Sequence, residues 1–113
     1  MLIEVAGIKY REIAWDKDGK AFPWEKIGDG DAIQVIPDPK GTAMMNPHND
    51  PYALALVHTE SATFIGYVPH ATAKVLDAEF KAGRKVSGCT VADIQPGTLQ
   101  KGSKLVTVDL QLE

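Results

Sequence analysis

Apolar residues in this chain come mostly in short, β-branched runs cut off by turn residues, and only one stretch spaces them as a helix does. That pattern favours a mainly β fold with a single dominant helix. The runs are Leu2 to Tyr10, Ala32 to Ile36, Ala53 to His58, Thr63 to Val68, Lys85 to Ile94 and Lys104 to Leu112. In the last run Val106, Val108, Leu110 and Leu112 alternate with polar neighbours and are expected to face inward. Asp18–Gly19 lies between Ile13–Trp15 and Ala21–Trp24 and spells a tight turn, so an extra short hairpin is expected there. Pro23 confines that hairpin to an edge. The exception is Pro69 to Ala82, where Ala73, Leu76 and Phe80 form one apolar stripe with Val75 beside it. Pro69 suits the start of a helix, Gly83 its stop, and Lys81 the negative end of its dipole. The expected architecture is a six-stranded antiparallel β-barrel of OB or SH3-like size with one main helix near 69–82.

A chain of 113 residues, 44% hydrophobic and 24% charged, fits one ordinary globular domain spanning 1–113. The single cysteine, Cys89, cannot form an internal disulfide and reads as a small core residue, as in a reducing compartment. The opening MLIEVAGIKY carries Glu4 and no long apolar run, which fails the secretory pattern. No stretch of the chain is apolar enough to span a bilayer. A cytoplasmic location is therefore expected. Cys89, His48, His58 and His70 are scattered, without the paired spacing of a zinc site. Neither common glycine-rich phosphate loop occurs, nor a nucleophile elbow, so no metal, no cofactor and no catalysis are expected. The net charge of −3 excludes a protein that coats nucleic acid through many phosphates. Any nucleic-acid contact must come from a local patch and a shaped pocket.

The segment Pro37 to Pro51 is irregular, and a connection of that length in a compact domain is usually functional or disordered. Within and around it four segments, taken in order, resemble the HIRAN domain. Val5–Ala6–Gly7–Ile8–Lys9–Tyr10 is similar to the opening strand of that family. Asn46–Pro47–His48–Asn49–Asp50–Pro51–Tyr52–Ala53–Leu54–Ala55–Leu56 resembles the signature Asn-Pro-(Tyr or His)-Asp-x-Asn-Ala-(Ile or Val)-x-Val. Ile65–Gly66–Tyr67–Val68–Pro69 is close to IGYVP, and the alanine-rich helix follows it directly. The matches frame residues 1 to about 94. One residue is extra, so Asn49 or Asp50 stands at the family's Asp; the register of Asp50–Pro51–x–Ala53 prefers Asp50. Tyr52 stands where the family usually has Asn, and Lys9 where Arg is frequent, which loses the bidentate fork.

The resemblance implies a non-catalytic module that grips the 3′ end of single-stranded DNA in repair or replication, working with a separate helicase or nuclease. It implies a site made from Lys9, Tyr10, Asn46, His48, Asp50, Tyr52, Tyr67 and His70. Tyr10 and Tyr67 either stack bases or serve as core and rim aromatics. Asp50 either accepts a bond from a terminal hydroxyl or caps its own turn before Pro51. His48 either touches the terminal sugar or base or packs in its loop, whose shape Asn46 holds. Lys9, Arg11, His70 and Lys74 are either phosphate contacts or solvated charges. Trp15, Phe22 and Trp24 form either a satellite core or a patch for a partner. The rival reading is a protein-interaction or structural module with the same fold and no DNA pocket. Oligomeric state is open.

Overall fold

The computed structural model describes residues 1–41, 50–95 and 104–113. Strands β1 (Leu2–Glu4), β6 (Leu105–Leu112) and β5 (Val86–Gln95) form one three-stranded antiparallel sheet in the order β1-β6-β5. Strands β2 (Ile33–Pro37), β3 (Leu54–His58) and β4 (Thr63–Tyr67) form a second, in the order β2-β3-β4. Helix α1 (Ile8–Lys17) follows β1, and α2 (His70–Lys81) follows β4.

The inner faces meet in one core. Ile3 opposite Val108, Cys89 opposite Leu110, and Val91 opposite Val108 supply the first sheet's side; Ile33, Leu56 and Ile65 supply the other. Val106, Val108 and Leu110 are buried and Leu112 is half-buried, as their alternation predicts. The long strand β5 shifts register at Val86/Gly88 and Val91/Asp93, bulges that bend it around the core.

The ladders do not close into a continuous barrel. Each seam between the sheets carries one isolated bridge, Ala6 with Tyr67 and Ala32 with Thr90. The backbone bonds are short at both: Ala6 N to Tyr67 O at 2.8 Å and Tyr67 N to Ala6 O at 2.9 Å on one side, Gly30 N to Val91 O at 2.7 Å and Val91 N to Asp31 O at 2.9 Å on the other. Gly66 makes the first seam possible. Its φ is +154°, and a Cβ there would run into the carbonyl oxygen of Ala6 and come within 2.7 Å of Val5 Cγ1. Any side chain at 66 would push the two sheets apart.

Two local expectations are corrected. Leu2 to Tyr10 is not one strand: β1 ends at Glu4, Ala6 crosses to Tyr67 of the other sheet, Gly7 turns the chain with φ +84°, and Ile8 begins α1. The expected hairpin around Asp18–Gly19 is the end of that helix. Gly19 at φ +72° donates to Asp16 O at 2.9 Å, and Lys20 N donates to Trp15 O at 2.9 Å, the two bonds of a Schellman stop. Arg11, Glu12, Ala14 and Lys17 are good helix formers, and they decide the local outcome. Trp15, Phe22 and Trp24 gather beside it as a satellite of the core, with ring centroids 5.6 Å and 4.7 Å apart. The described residues therefore hold two α-helices rather than one, besides a single 3-10 turn at Trp24–Lys26.

The predicted helix is present. Ala73 and Leu76 are fully buried, Phe80 packs against the core, and Val75 is exposed. Burying Leu76 contributes about 1.5–3 kcal/mol. Gly83, at φ +93°, closes α2 as Gly19 closes α1: Gly83 N donates to Phe80 O at 3.0 Å and Arg84 N to Glu79 O at 3.1 Å.

Candidate functional site

A cleft of about 160 Å³ opens at the first seam. Its wall runs from Ala6, just before α1, across Tyr67 and Val68 at the end of β4 to His70 at the start of α2; Asp50 and Ala53 close the opposite side. The IGYVP segment builds it directly: Gly66 lets the sheets touch, Tyr67 bridges them, and Pro69 starts α2 so that His70 stands at the mouth.

Asp50 is held from two directions. Its Oδ1 accepts the Tyr52 N–H at 3.0 Å, and its Oδ2 lies 3.0 Å from His70 Nδ1. Its side chain is 20% exposed and that of His70 62%. The turn is itself tied down, with Asp50 N donating to Pro39 O at 2.7 Å and Ala53 N to Asp50 O at 3.1 Å. Asp50 thus caps its own turn, as one of the two sequence readings has it, and lines the cleft.

Tyr67 is not a free stacking face. Its hydroxyl donates to Asp38 Oδ2 at 2.5 Å, and its ring meets Phe64 edge-on at 5.1 Å. The Arg11 guanidinium lies 4.4 Å over the Phe64 ring. Burial, then the bond to Asp38, pushes the Tyr67 hydroxyl well above the usual tyrosine range, so it remains a donor at any ordinary pH. Asp38 is 7% exposed and was missed in the sequence, where it reads as a loop residue between two prolines.

Tyr52 lines a smaller groove of about 100 Å³ against α2, which meets the cleft at Ala53. Its ring meets the His70 ring at 6.0 Å, and Lys74 Nζ sits 5.7 Å over it. Lys9 and Tyr10 do not line the cleft. They ride on α1, where Tyr10 is 52% exposed and Lys9 Nζ lies 5.2 Å from its ring. The structure thus brings Asp50, Tyr52, Tyr67 and His70 together and leaves Lys9 and Tyr10 apart. Asn46 and His48 lie outside the described residues.

A second polar cluster holds the other seam. His58 is fully buried, with Nε2 2.7 Å from Asp31 Oδ2 and Nδ1 2.6 Å from Ser61 Oγ. Ser61 N–H also points at Nδ1, at 3.3 Å, which assigns the ring proton to Nε2. Asp31 accepts the Gly28 N–H at 2.8 Å; that bond and the one from His58 hold its carboxyl below the usual range. The Ser61 hydroxyl therefore donates to Nδ1, and its oxygen lies 2.8 Å from Thr63 Oγ1. With His58 sealed from solvent, the cluster ties the β3–β4 turn to the loop before β2. Sequence gave no sign of it beyond the residue types. Burial pushes the Cys89 thiol up to about 11, in keeping with a core residue.

No group of His, Cys, Asp and Glu among the described residues is arranged to hold a metal. No helix among them is long and apolar enough to cross a membrane. Comparison with protein-family models, curated proteins and solved structures finds no match, so the site rests on its own geometry.

Proposed function

We propose that this chain is a non-catalytic, HIRAN-like module that binds the 3′ end of single-stranded DNA, with the first-seam cleft as the end-binding site. In this reading the two sheets are halves of one small OB- or SH3-like barrel, opened at both seams. The module acts in the cytoplasm, at sites of DNA repair or replication served by a separate helicase or nuclease. One observation carries the proposal: Asp50 is fixed by Tyr52 and His70 with its carboxylate on the cleft. An ionised carboxylate only accepts hydrogen bonds, so it suits a terminal hydroxyl and repels a terminal phosphate. His70 lines the cleft, and Lys74 follows one turn later on α2 over the Tyr52 ring, on the side where the preceding phosphate would leave. With so few cations in place, the salt dependence of binding should be shallow.

The test is a pair of anisotropy titrations with one oligonucleotide ending in a 3′ hydroxyl or a 3′ phosphate. The hydroxyl should be preferred by about 1.5 kcal/mol or more, roughly tenfold. Asp50→Ala should erase that preference. Equal affinities would rule out end recognition through Asp50. The second reading, a protein-interaction module, draws on Asp38, whose buried carboxylate behind Tyr67 adds negative charge near the cleft. Absence of binding to either oligonucleotide would favour it.

A further inference from the structure

The polar cluster at the second seam carries a chemistry that tying down a turn does not require. A serine hydroxyl, an imidazole and a carboxylate stand in line: Ser61 Oγ lies 2.6 Å from His58 Nδ1, and His58 Nε2 lies 2.7 Å from Asp31 Oδ2. With the ring proton on Nε2, the hydroxyl donates to the ring and the ring donates to the carboxylate. A nucleophile within hydrogen-bond reach of a base, with the base oriented by a third group, is the arrangement that activates a serine. The ring is turned in the opposite sense from the common triad. Either imidazole nitrogen acts as base once the other holds the proton.

The surroundings suit that role. His58 is fully buried, so bulk water does not compete for its Nδ1 lone pair. Asp31, held below the usual carboxylate range, is ionised at neutral pH and favours an imidazolium beside it. Thr63 Oγ1, 2.8 Å from Ser61 Oγ, can turn its hydroxyl toward that oxygen as the proton leaves. Ser61 itself is half-buried, in the turn between β3 and β4. The next residue, Ala62, is the one non-glycine among the described residues at positive φ, +54°. Neither the cleft at the first seam nor the groove against α2 reaches Ser61, so this chemistry is independent of the DNA-end reading.

We infer that Ser61 is an acyl-accepting nucleophile, which takes the acyl group of an activated carboxylic ester, with His58 as its base and Asp31 holding the ring. Ser61 Oγ attacks the acyl carbon and its proton passes to His58 Nδ1. The new Oγ–C bond forms, the bond from the acyl carbon to the leaving oxygen breaks, and the proton moves from Nδ1 to the departing alkoxide. The products are O-acyl-Ser61 and the free alcohol. This is one covalent modification of the chain, which a module without turnover can undergo.

The experiment mixes the full chain with p-nitrophenyl acetate, follows release of p-nitrophenolate, and locates the acetyl group by peptide mass spectrometry after an acid quench. A stoichiometric burst should place acetyl on Ser61. Its rate should exceed that of Ser87, exposed on β5, by roughly a hundredfold or more, the contribution of a positioned base. Both serines are read in one sample, so background acetylation of lysines does not enter. The rate should rise with pH as His58 loses its proton and then level off. Asp31→Asn keeps the serine and the imidazole and should slow the burst roughly tenfold or more. Unfolding in urea should erase the advantage of Ser61. Acetylation of Ser61 no faster than Ser87, or a burst that survives Ser61→Ala, overturns the inference and leaves the cluster as a structural tie alone.

Discussion

The two seams join the same pair of sheets with one isolated bridge each, yet they are held by different means. At Ala6 and Tyr67 the backbones touch because Gly66 has no side chain to stop them. At Ala32 and Thr90 the contact is framed by polar side chains. Asp31 does double duty there: its carbonyl accepts from Val91 of β5 and its carboxylate from His58 of β3. A seam made by steric fit tolerates no added atoms and is indifferent to pH. A seam made by a charged network tolerates small shifts and feels the proton concentration. The cleft lies on the first kind, which keeps its walls fixed while its rim stays polar.

The largest effect should follow from adding a single methyl group at the steric seam. Gly66→Ala combines overpacking with backbone strain, each about 1–3 kcal/mol. Chemical denaturation should show a loss of about 2–6 kcal/mol. A variant as stable as the parent would mean that the sheets do not meet at Ala6 as described. Next comes the polar seam. His58→Ala truncates a fully buried side chain and should cost about 2–5 kcal/mol. A shift within about 0.5 kcal/mol would place His58 outside the packed interior.

The smallest effect is the one that only the polar seam can show. The Asp31 carboxyl is depressed in the folded chain, first by the Gly28 N–H and then by His58. Its contribution is therefore complete above the unfolded value of about 3.9 and is lost as pH falls through the lower folded value. Asp31→Asn should be less stable than the parent near neutrality, and the gap should narrow below about pH 4. Thermal melts of both proteins across that range check it. A gap that stays constant would show that the carboxylate's charge is not what the seam uses.

Legibility in the sequence followed the strength of local pattern. Strands β2 to β6 and α2 are where alternation, the Leu76 stripe and the Gly83 stop predict them, because each buries a regular set of side chains. Helix α1 was not legible for a matching reason. Ile8 is its only buried residue, and Tyr10 and Ile13 face solvent, so no stripe marks it. Asp18–Gly19 added to the error, since a glycine at positive φ serves a hairpin and a helix stop equally well. In the site, Asp50, Tyr52, Tyr67 and His70 were identified and do meet, within a few residues of the strand ends that position them. Asp38 was not, because its partner Tyr67 is 29 residues away and nothing local links the two.

The strand pair β2–β3 does not stop at Pro37 and Leu54. Asp38 N donates to Ala53 O at 2.9 Å, and Asp50 N donates to Pro39 O at 2.7 Å, so the two chains run on as a closed neck. Gly41 N folds back onto Asp38 O at 3.0 Å at its outer end. The neck places Gly41 and Asp50, the two residues that flank the intervening stretch, on the wall of the cleft. Doubling such a connection costs only about 0.6 kcal/mol in closure entropy. A change of length between 41 and 50 therefore costs the fold little, yet it falls at the edge of the cleft, where it would alter what the cleft admits.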